Sequence, residues 1–424
     1  MSFSIITPSY KQLDWLRLCV ASVRDQIAAA GDGIENVEWE IRNGECHPSS
    51  ADRELLDRNL NSKFQIPILF PLSTHSEFSI SNSTLFNSDL AVEHIIQDAG
   101  SPGIEEFARE VGADFYRDGL LVFRGKNGNV ECRMRNAELP DPPNHPESKI
   151  QNPKFSSQNS TLGGEFHENP AESGNPVKNA SPLISKSQLQ IPNYSLSIYS
   201  ERDNGMYDAI NRGFARSTGE ILAYLNCDEQ YLPETLTSVL RFFEQDPKTE
   251  VAFGDTIIVS SLGTPIASRP AVIPTLCHSM VGGTLAIYTA STFFRSSILT
   301  KGLAFDTNWR DLGDAEWLSR IIRSKSAMRL LKRRTTAFTD TGANMNFCKN
   351  ASIEKIRWYK QASLTARIFK HFIRLRYRAH KLLAGHYNQN SFDYCIYALS
   401  NPQARVKFHF DKPHPFWHTF HYSV

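Results

Sequence analysis

Two hydrophobic periods alternate along this chain. Short apolar runs read as strands, and stretches with apolar residues three or four apart read as helices. Phe3–Thr7 opens as a strand, followed by the turn Pro8-Ser9-Tyr10 and a helix with Leu13, Leu16, Val20 and Val23 on one face. Val92–Asp98 returns to strand and ends at Ala99-Gly100-Ser101, after which the spacing predicts a helix over Ile104–Val111. The richest stretch runs from Leu196 to Tyr231. Leu196–Tyr199 reads as a strand, Asp203-Asn204-Gly205 is turn chemistry, and Met206–Ser217 carries Ala209, Ile210, Gly213 and Phe214 at helical spacing. Ile221–Leu225 then has the character of a buried strand, and it stops at Asn226-Cys227-Asp228-Glu229. Further on, Pro233 opens a helix to about Phe243, while Val251–Asp255 and Ser291–Arg295 read as strands. Strands alternating with helices predict an α/β fold.

Three stretches depart from this rhythm. Between Ile27 and Leu90 only Val37–Ile41 and the apolar run Ile66–Phe70 look ordered, and Ser73–Ser88 is Ser/Asn-rich, so 27–90 reads as an insertion of uncertain order. Leu120–Phe123 reads as a further strand or part of an embellishment. Pro140–Ser195 holds nine prolines and only three aromatic residues, too little apolar surface to offset chain entropy, so a mobile segment is expected there. In the tail, Lys355–Lys381 has nine Lys or Arg and no acidic residue. Leu364, Ile368, Phe372, Leu375, Ala379 and Leu382 follow at spacings of four, four, three, four and three, which makes a basic amphipathic helix. Such a helix can lie on an anionic membrane surface or pack its apolar face on the rest of the protein. His409, His414, His418 and His421 show no repeated metal-ligand spacing and read as packing and surface residues.

The candidate chemistry is acidic. Asp228 and Glu229 are adjacent where a buried strand ends, which is where ligands collect in a doubly wound sheet. Two neighbouring carboxylates repel unless solvent, a cation or a ligand offsets the cost, and hard divalent ions take such oxygen ligands together with substrate phosphates.

The order of these residues resembles the family 2 glycosyltransferases, inverting nucleotide-sugar enzymes of GT-A fold. The similarity lies in Asp203, Gly205, Tyr207, Asp208, Ala209, Asn211 and Gly213, then Thr218-Gly219-Glu220-Ile221, then the turn Asn226-Cys227-Asp228 in place of a D-x-D metal turn. Ile5–Tyr10 resembles the family's first strand and nucleotide-binding turn. The Val92–Asp98 strand resembles the one whose terminal Asp bonds the base, although Gly100-Ser101-Pro102 departs from the usual loop. Val251–Asp255 and Thr292–Arg295 resemble two further family strands, and Phe305 to Leu318 resembles the segment that carries the catalytic base. Together these stretches cover about Ser2–Gln26, Val92–Val111 and Leu196–Ile322.

The resemblance implies a GT-A domain over 1–345, with a mixed, mostly parallel sheet flanked by helices, and a basic, aromatic helical extension over 346–424. It implies Asp314 as the catalytic base, with Asp311 and Glu316 as rivals. Pro8, Tyr10, Asp98, Asp203, Gly205, Asp208 and Asn211 would form the donor site, while Asp228 and Glu229 would hold a divalent cation, Mn²⁺ or Mg²⁺. The donor would be a nucleotide-diphosphate sugar, with uridine diphosphate the family's commonest choice. The acceptor would be a saccharide or lipid-linked saccharide in surface polysaccharide or glycan synthesis. From the residues alone, Asp314 reads equally as a helix cap, and Asp208 and Asn211 as helix-stabilising groups.

Composition trims the alternatives. A net charge of +1 over 424 residues argues against a nucleic-acid partner. Seven cysteines with no C-x-x-C pair imply neither a zinc site nor a disulfide framework, and free thiols fit the cytoplasm. No secretory leader is apparent at the N-terminus, and no run approaches the roughly 20 apolar residues that span a bilayer. The basic tail opens a peripheral position at the inner face of the membrane. Two rival readings stand beside glycosyl transfer: a non-catalytic sugar-nucleotide-binding or membrane-associated module, and a nucleotidyltransferase. The second lacks its Gly-rich basic loop, since Pro8–Gln12 is not one.

Overall fold

The alternation of apolar side chains along the first strand decides how the sheet is buried. Phe3 and Ile5 point into one cluster of core residues and Ile6 into another on the opposite face, so both faces must be covered by helices. The computed structural model describes residues 1–31, 39–42, 45–48, 90–125, 193–283, 286–342 and 349–417.

In chain order, β1 (Ser2–Ser9) leads into the helix Leu13–Gly31, followed by the small hairpin of β2 (Trp39–Arg42) and β3 (Glu45–Pro48). β4 (Ala91–Asp98) precedes the helix Ile104–Val111, then come β5 (Asp114–Arg117) and β6 (Leu120–Phe123). β7 (Tyr194–Ser200), the helix Met206–Arg216, β8 (Ile221–Tyr224) and β9 (Glu229–Tyr231) form the centre. The helix Thr235–Gln245, β10 (Val251–Ser260), β11 (Pro265–Arg269), the helix Leu276–Val281, β12 (Thr292–Arg295), the helix Gly313–Arg323 and β13 (Met328–Asp340) complete the sheet region. Three helices, Lys349–Lys360, Leu364–Ile368 and Lys370–Leu383, and the hairpin of β14 (Phe392–Ala398) and β15 (Asn401–Phe410) make the tail.

Apart from the two hairpins β2-β3 and β14-β15, the described strands form one large sheet in the order β6-β5-β7-β4-β1-β8-β12-β10-β13-β9, with β11 on β10. From β5 to β8 the neighbours are parallel, and β12 runs antiparallel between β8 and β10. This is a mixed, mostly parallel α/β sheet, as the sequence resemblance implies. Phe293 and Phe294 point to opposite faces of β12, one into each of the two main clusters. The helices Leu13–Gly31 and Thr235–Gln245 cover one face, and Met206–Arg216 and Gly313–Arg323 the other. Among the described residues no helix is long and apolar enough to cross a membrane.

Several expectations need adjusting. The helix expected from Pro233 begins at Thr235, because Pro233 and Glu234 form a turn with Glu234 at φ 58°. Tyr194 and Ser195, expected inside the mobile segment, pair with Val92 and Glu93 as the start of β7. The rest of that segment up to residue 192, the run Ile66–Phe70 and the stretch 73–88 lie outside the described residues, as do His418 and His421. Leu120–Phe123 is a strand that folds back on β5. The tail is helical only as far as Leu383 and then turns into a hairpin. Its single amphipathic helix is instead three, and the apolar stripe faces outward: Leu364, Ile368, Phe372, Leu375 and Leu382 are exposed.

Helix Met206–Arg216 meets the sheet at Gly213, where a Cβ would stand 2.5 Å from Ile6 Cγ2. Gly213→Ala should therefore destabilise the chain by about 1–3 kcal/mol through overpacking, read as a lower urea midpoint at unchanged slope. An unchanged midpoint would mean that the helix lifts from the sheet at no cost.

Candidate active site

β1, β4 and β8 are parallel and in register, so the segments that follow them emerge on one side of the sheet. Pro8, Ser9 and Tyr10, then Ala99, then Asn226 to Glu229 open there onto a cavity of about 1140 Å³. Its other walls come from Arg202 to Tyr207, from Asp311 to Ala315, and from Lys355, Trp358, Tyr359 and Arg374 of the tail.

The turn after β8 carries the acidic pair. Burial pushes the Asp228 carboxyl up to about 6. Glu229 is more deeply enclosed, and burial together with the neighbouring Asp228 charge pushes it up to about 8, although its Oε2 accepts the Asn226 N–H at 2.8 Å. Asn226 Oδ1 is buried with no hydrogen-bond partner. An orphaned amide oxygen beside a buried carboxylate is a donor set that suits a hard divalent cation completed by phosphate and water oxygens. Among the described residues no group of three or more His, Cys, Asp or Glu side chains could by itself hold a metal.

Asp314 stands in the first turn of the helix Gly313–Arg323 and lines the same cavity. Its carboxylate Oδ1 accepts the Ala315 N–H at 2.7 Å, and its own N–H donates to the Tyr207 hydroxyl at 3.1 Å. Burial raises its carboxyl to about 6 against those hydrogen bonds. The rivals separate on geometry. Glu316 is spent on both oxygens by Arg320, at 2.8 and 2.9 Å, and does not reach the cavity. Asp311 lines the cavity but accepts from Asn350 Nδ2 at 2.7 Å.

Of the donor-side residues, Pro8, Tyr10, Asp203 and Gly205 line the cavity. Tyr10 is half exposed at the rim, with the Lys11 ammonium 4.8 Å from its ring centre. Gly205 takes φ 113°, a conformation open to glycine, and its N–H donates to Asp203 Oδ1 at 2.9 Å. Burial raises the Asp203 carboxyl above its ordinary value. The other three lie behind the wall. Asp98 accepts the N–H groups of Gly100 and Ser101 and the Ser101 hydroxyl at 2.5–2.8 Å, and Ser101 Oγ in turn accepts the Lys11 N–H. It shapes the loop that presents Tyr10. Asp208 accepts the Asn204 N–H and pairs with Arg212 at 2.9 Å. Asn211 binds both the N–H and the C=O of Phe305.

Residues not singled out from the sequence also line the cavity. Arg202, Arg269, Lys355 and Arg374 bring cations, and Trp358 and Tyr359 bring aromatic faces. Tyr207 was visible inside the motif, and Lys355 and Arg374 inside the basic run, but Arg269 carried no signal.

The raised Asp314 carboxyl has a signed consequence. Between the unfolded value near ~4 and about 6, the folded chain holds a proton that the unfolded chain has lost. Its contribution to stability is full below ~4 and is lost as pH rises through about 6. Asp314→Asn removes that slope, so thermal unfolding compared at pH 4 and pH 7.5 should shift in the variant's favour at the higher pH. A shift in the other direction would mean that the carboxylate is stabilised in place.

The family model described as glycosyl transferase family 2 matches residues 185–297, which include the Asp228 turn. The PGL/p-HBAD biosynthesis glycosyltransferases of Mycobacterium tuberculosis and Mycobacterium bovis are 36% identical over 67 residues, 16% of this chain and 26% of theirs. The match thus spans about a quarter of the length of those curated relatives. Crystal structures of S. aureus TarS 1-349 overlap more broadly but loosely. The complex with UDP is 13% identical, covers 90% of this chain and 72% of that one, and has a TM-score of 0.40. The complex with UDP-GlcNAc is 12% identical, covers 90% and 73%, and has a TM-score of 0.42. Residues 185–297 of this chain are thus similar to glycosyl transferase family 2.

Proposed function

We propose that the chain transfers a sugar from a nucleoside diphosphate donor, a uridine diphosphate sugar first among them, to a hydroxyl acceptor with inversion. One observation carries the reading. Asp228 with the orphaned Asn226 oxygen, and Asp314 on a separate helix, open onto one cavity that four cationic side chains also line. The family match over 185–297 supports it.

In this mechanism Tyr10 offers its ring to the base, and Asp203 lies at the turn where ribose hydroxyls would bond. Asp228, Asn226 and, at one remove, Glu229 would hold Mn²⁺ or Mg²⁺. That ion would neutralise charge developing on the departing diphosphate. Arg202 and Arg269 add fixed positive charge to the cavity. Asp314 takes the proton of the acceptor hydroxyl while its oxygen forms a bond to the anomeric carbon. The bond to the diphosphate oxygen breaks on the opposite face, and the electron pair leaves with the nucleoside diphosphate. A single displacement inverts the centre. A base with a carboxyl near 6 is ionised at neutral pH yet still basic enough to accept a proton. The setting would be synthesis of a surface polysaccharide or other glycan in the cytoplasm.

The test is release of nucleoside diphosphate from a panel of sugar nucleotides with candidate acceptors, in Mn²⁺, Mg²⁺ or EDTA. One donor should turn over, and chelation or Asp228→Asn should slow it about 10²–10³-fold. Asp314→Asn should bind that donor within about twofold of the parent and lose transfer by about 10³-fold. Normal turnover in that variant would move the base to Asp311. Donor binding without release under every condition would favour the non-catalytic module. Release of a nucleoside triphosphate and a sugar phosphate from a sugar nucleotide, only when pyrophosphate is supplied, would make the chain a nucleotidyltransferase.

A further inference from the structure

The helices that wall one side of the cavity also carry the most apolar surface left in water. Of sixteen large hydrophobic residues exposed among the described residues, nine lie between 353 and 383. Leu364, Ile368, Phe372, Leu375, Leu382 and Leu383 are 64% to 88% exposed. An ordinary surface helix does the reverse and turns such a stripe inward. Here the inner face of Lys370–Leu383 is held by Ile373, which packs on the cluster around Trp309 and Trp358, and by polar and aromatic groups. Tyr377 stacks on His278 with ring centres 3.7 Å apart, Arg374 Nε donates to the Val281 carbonyl at 3.0 Å, and Lys381 is buried near Tyr377 and Tyr387. The helix is therefore fixed in an orientation that presents its apolar side. Contiguous exposed apolar surface of this kind marks an interaction site.

Charge selects the occupant. The nine Lys and Arg of 355–381 sit in a chain whose net charge is only +1, so the remainder is net acidic; Arg374 and Lys381 turn inward, and the other seven cations lie on the helices that carry this stripe. A second copy docking face to face would set one cationic array against another. An anionic bilayer offers both complements, acyl chains for the stripe and headgroups for the cations.

We propose that the face built by Leu364–Leu383 docks on an anionic lipid surface. It follows, on the transfer reading above, that the acceptor is anchored in that surface. Arg374 and the Lys355–Tyr359 segment line the cavity and belong to the same helical region, so docking of the outer face holds that wall of the cavity beside the bilayer.

The experiment uses the full chain with sedimenting vesicles of phosphatidylcholine alone or with about 30% phosphatidylglycerol. Binding should favour the anionic vesicles by about tenfold or more, and high salt should weaken it. The double variant Phe372→Glu, Leu375→Glu should lose at least about tenfold of that binding, with unfolding midpoint and sugar-nucleotide binding unchanged. No sedimentation, or equal sedimentation with both vesicles, would overturn the proposal. So would self-association of the parent that the double variant abolishes, which would make a second copy the occupant. A lower unfolding midpoint in that variant would mean that the chain itself covers the stripe. Vesicle binding in a chain that releases nucleoside diphosphate from no donor would sink the transfer reading and leave the docking intact.

Discussion

Tyr207 is pressed against backbone that has no side chain: a Cβ on Gly313 would stand 2.5 Å from its ring. The donor-side helix and the helix that begins with the candidate base can approach this closely only at a glycine. Around that contact Phe305 lies between Tyr207 and Trp317, with ring centres 5.1 and 4.9 Å away, and Asn211 fixes its backbone from both sides. The Trp317 indole N–H is in turn spent on the Leu303 carbonyl. The position of Asp314 is therefore set by a buried aromatic stack and two hydrogen bonds, not by a loop. Precision of that kind is what a proton-transfer group needs.

The buried carboxylates divide by what satisfies them. Asp98 has two backbone N–H donors and a hydroxyl at short range, and Glu354 accepts the N–H groups of Arg310, Asp311 and Leu312. Burial opposes ionisation of Glu354, but these donors outweigh it and hold its carboxyl below the ordinary value. Asp228, Glu229 and Asp314 are under-satisfied, and burial drives each of them up. The first group stabilises loops. The second costs stability and is tolerated where a ligand offsets it, the usual trade at a functional site.

That division also explains what the sequence could tell. β1, β4, β7, the helix Met206–Arg216 and β8 were legible because each has a clean period and a clear stop. Asp228 was legible because a strand end opens its turn to the cavity, whereas Asp314 read equally as a helix cap and was singled out only by the family resemblance. Asp98 also sits at a strand end, but where its oxygens go is decided by Gly100 and Ser101, which turn their N–H groups inward. Asp208 and Asn211 sit in the motif and serve the fold around it. β13 escaped notice because Lys332-Arg333-Arg334 interrupts its apolar run, on a stretch that is exposed to half-buried before Thr335. The role of Glu354 depends on amides more than forty residues earlier, a separation that local patterning does not reach.

The tail is woven into the site by the same logic. Glu354 caps the loop that leads to Asp314, Trp358 donates to the Ser279 carbonyl at 3.1 Å, and Arg357 lies 4.3 Å from the Trp309 ring centre. Farther along, Arg405 meets Asp25 on both oxygens and also binds the Tyr231 carbonyl, which ties the terminal hairpin to the first helix and to β9. Removing the tail would leave the N–H groups of 310–312 without the Glu354 carboxylate and take away the wall made by Lys355, Trp358, Tyr359 and Arg374. If Asp314 deprotonates the acceptor, that hydroxyl enters the cavity that Lys355, Trp358 and Arg374 also line. The donor turn lies within the family segment 185–297, and this wall lies beyond it. Choice of acceptor would then be written mainly in the part of the chain that the family match does not reach.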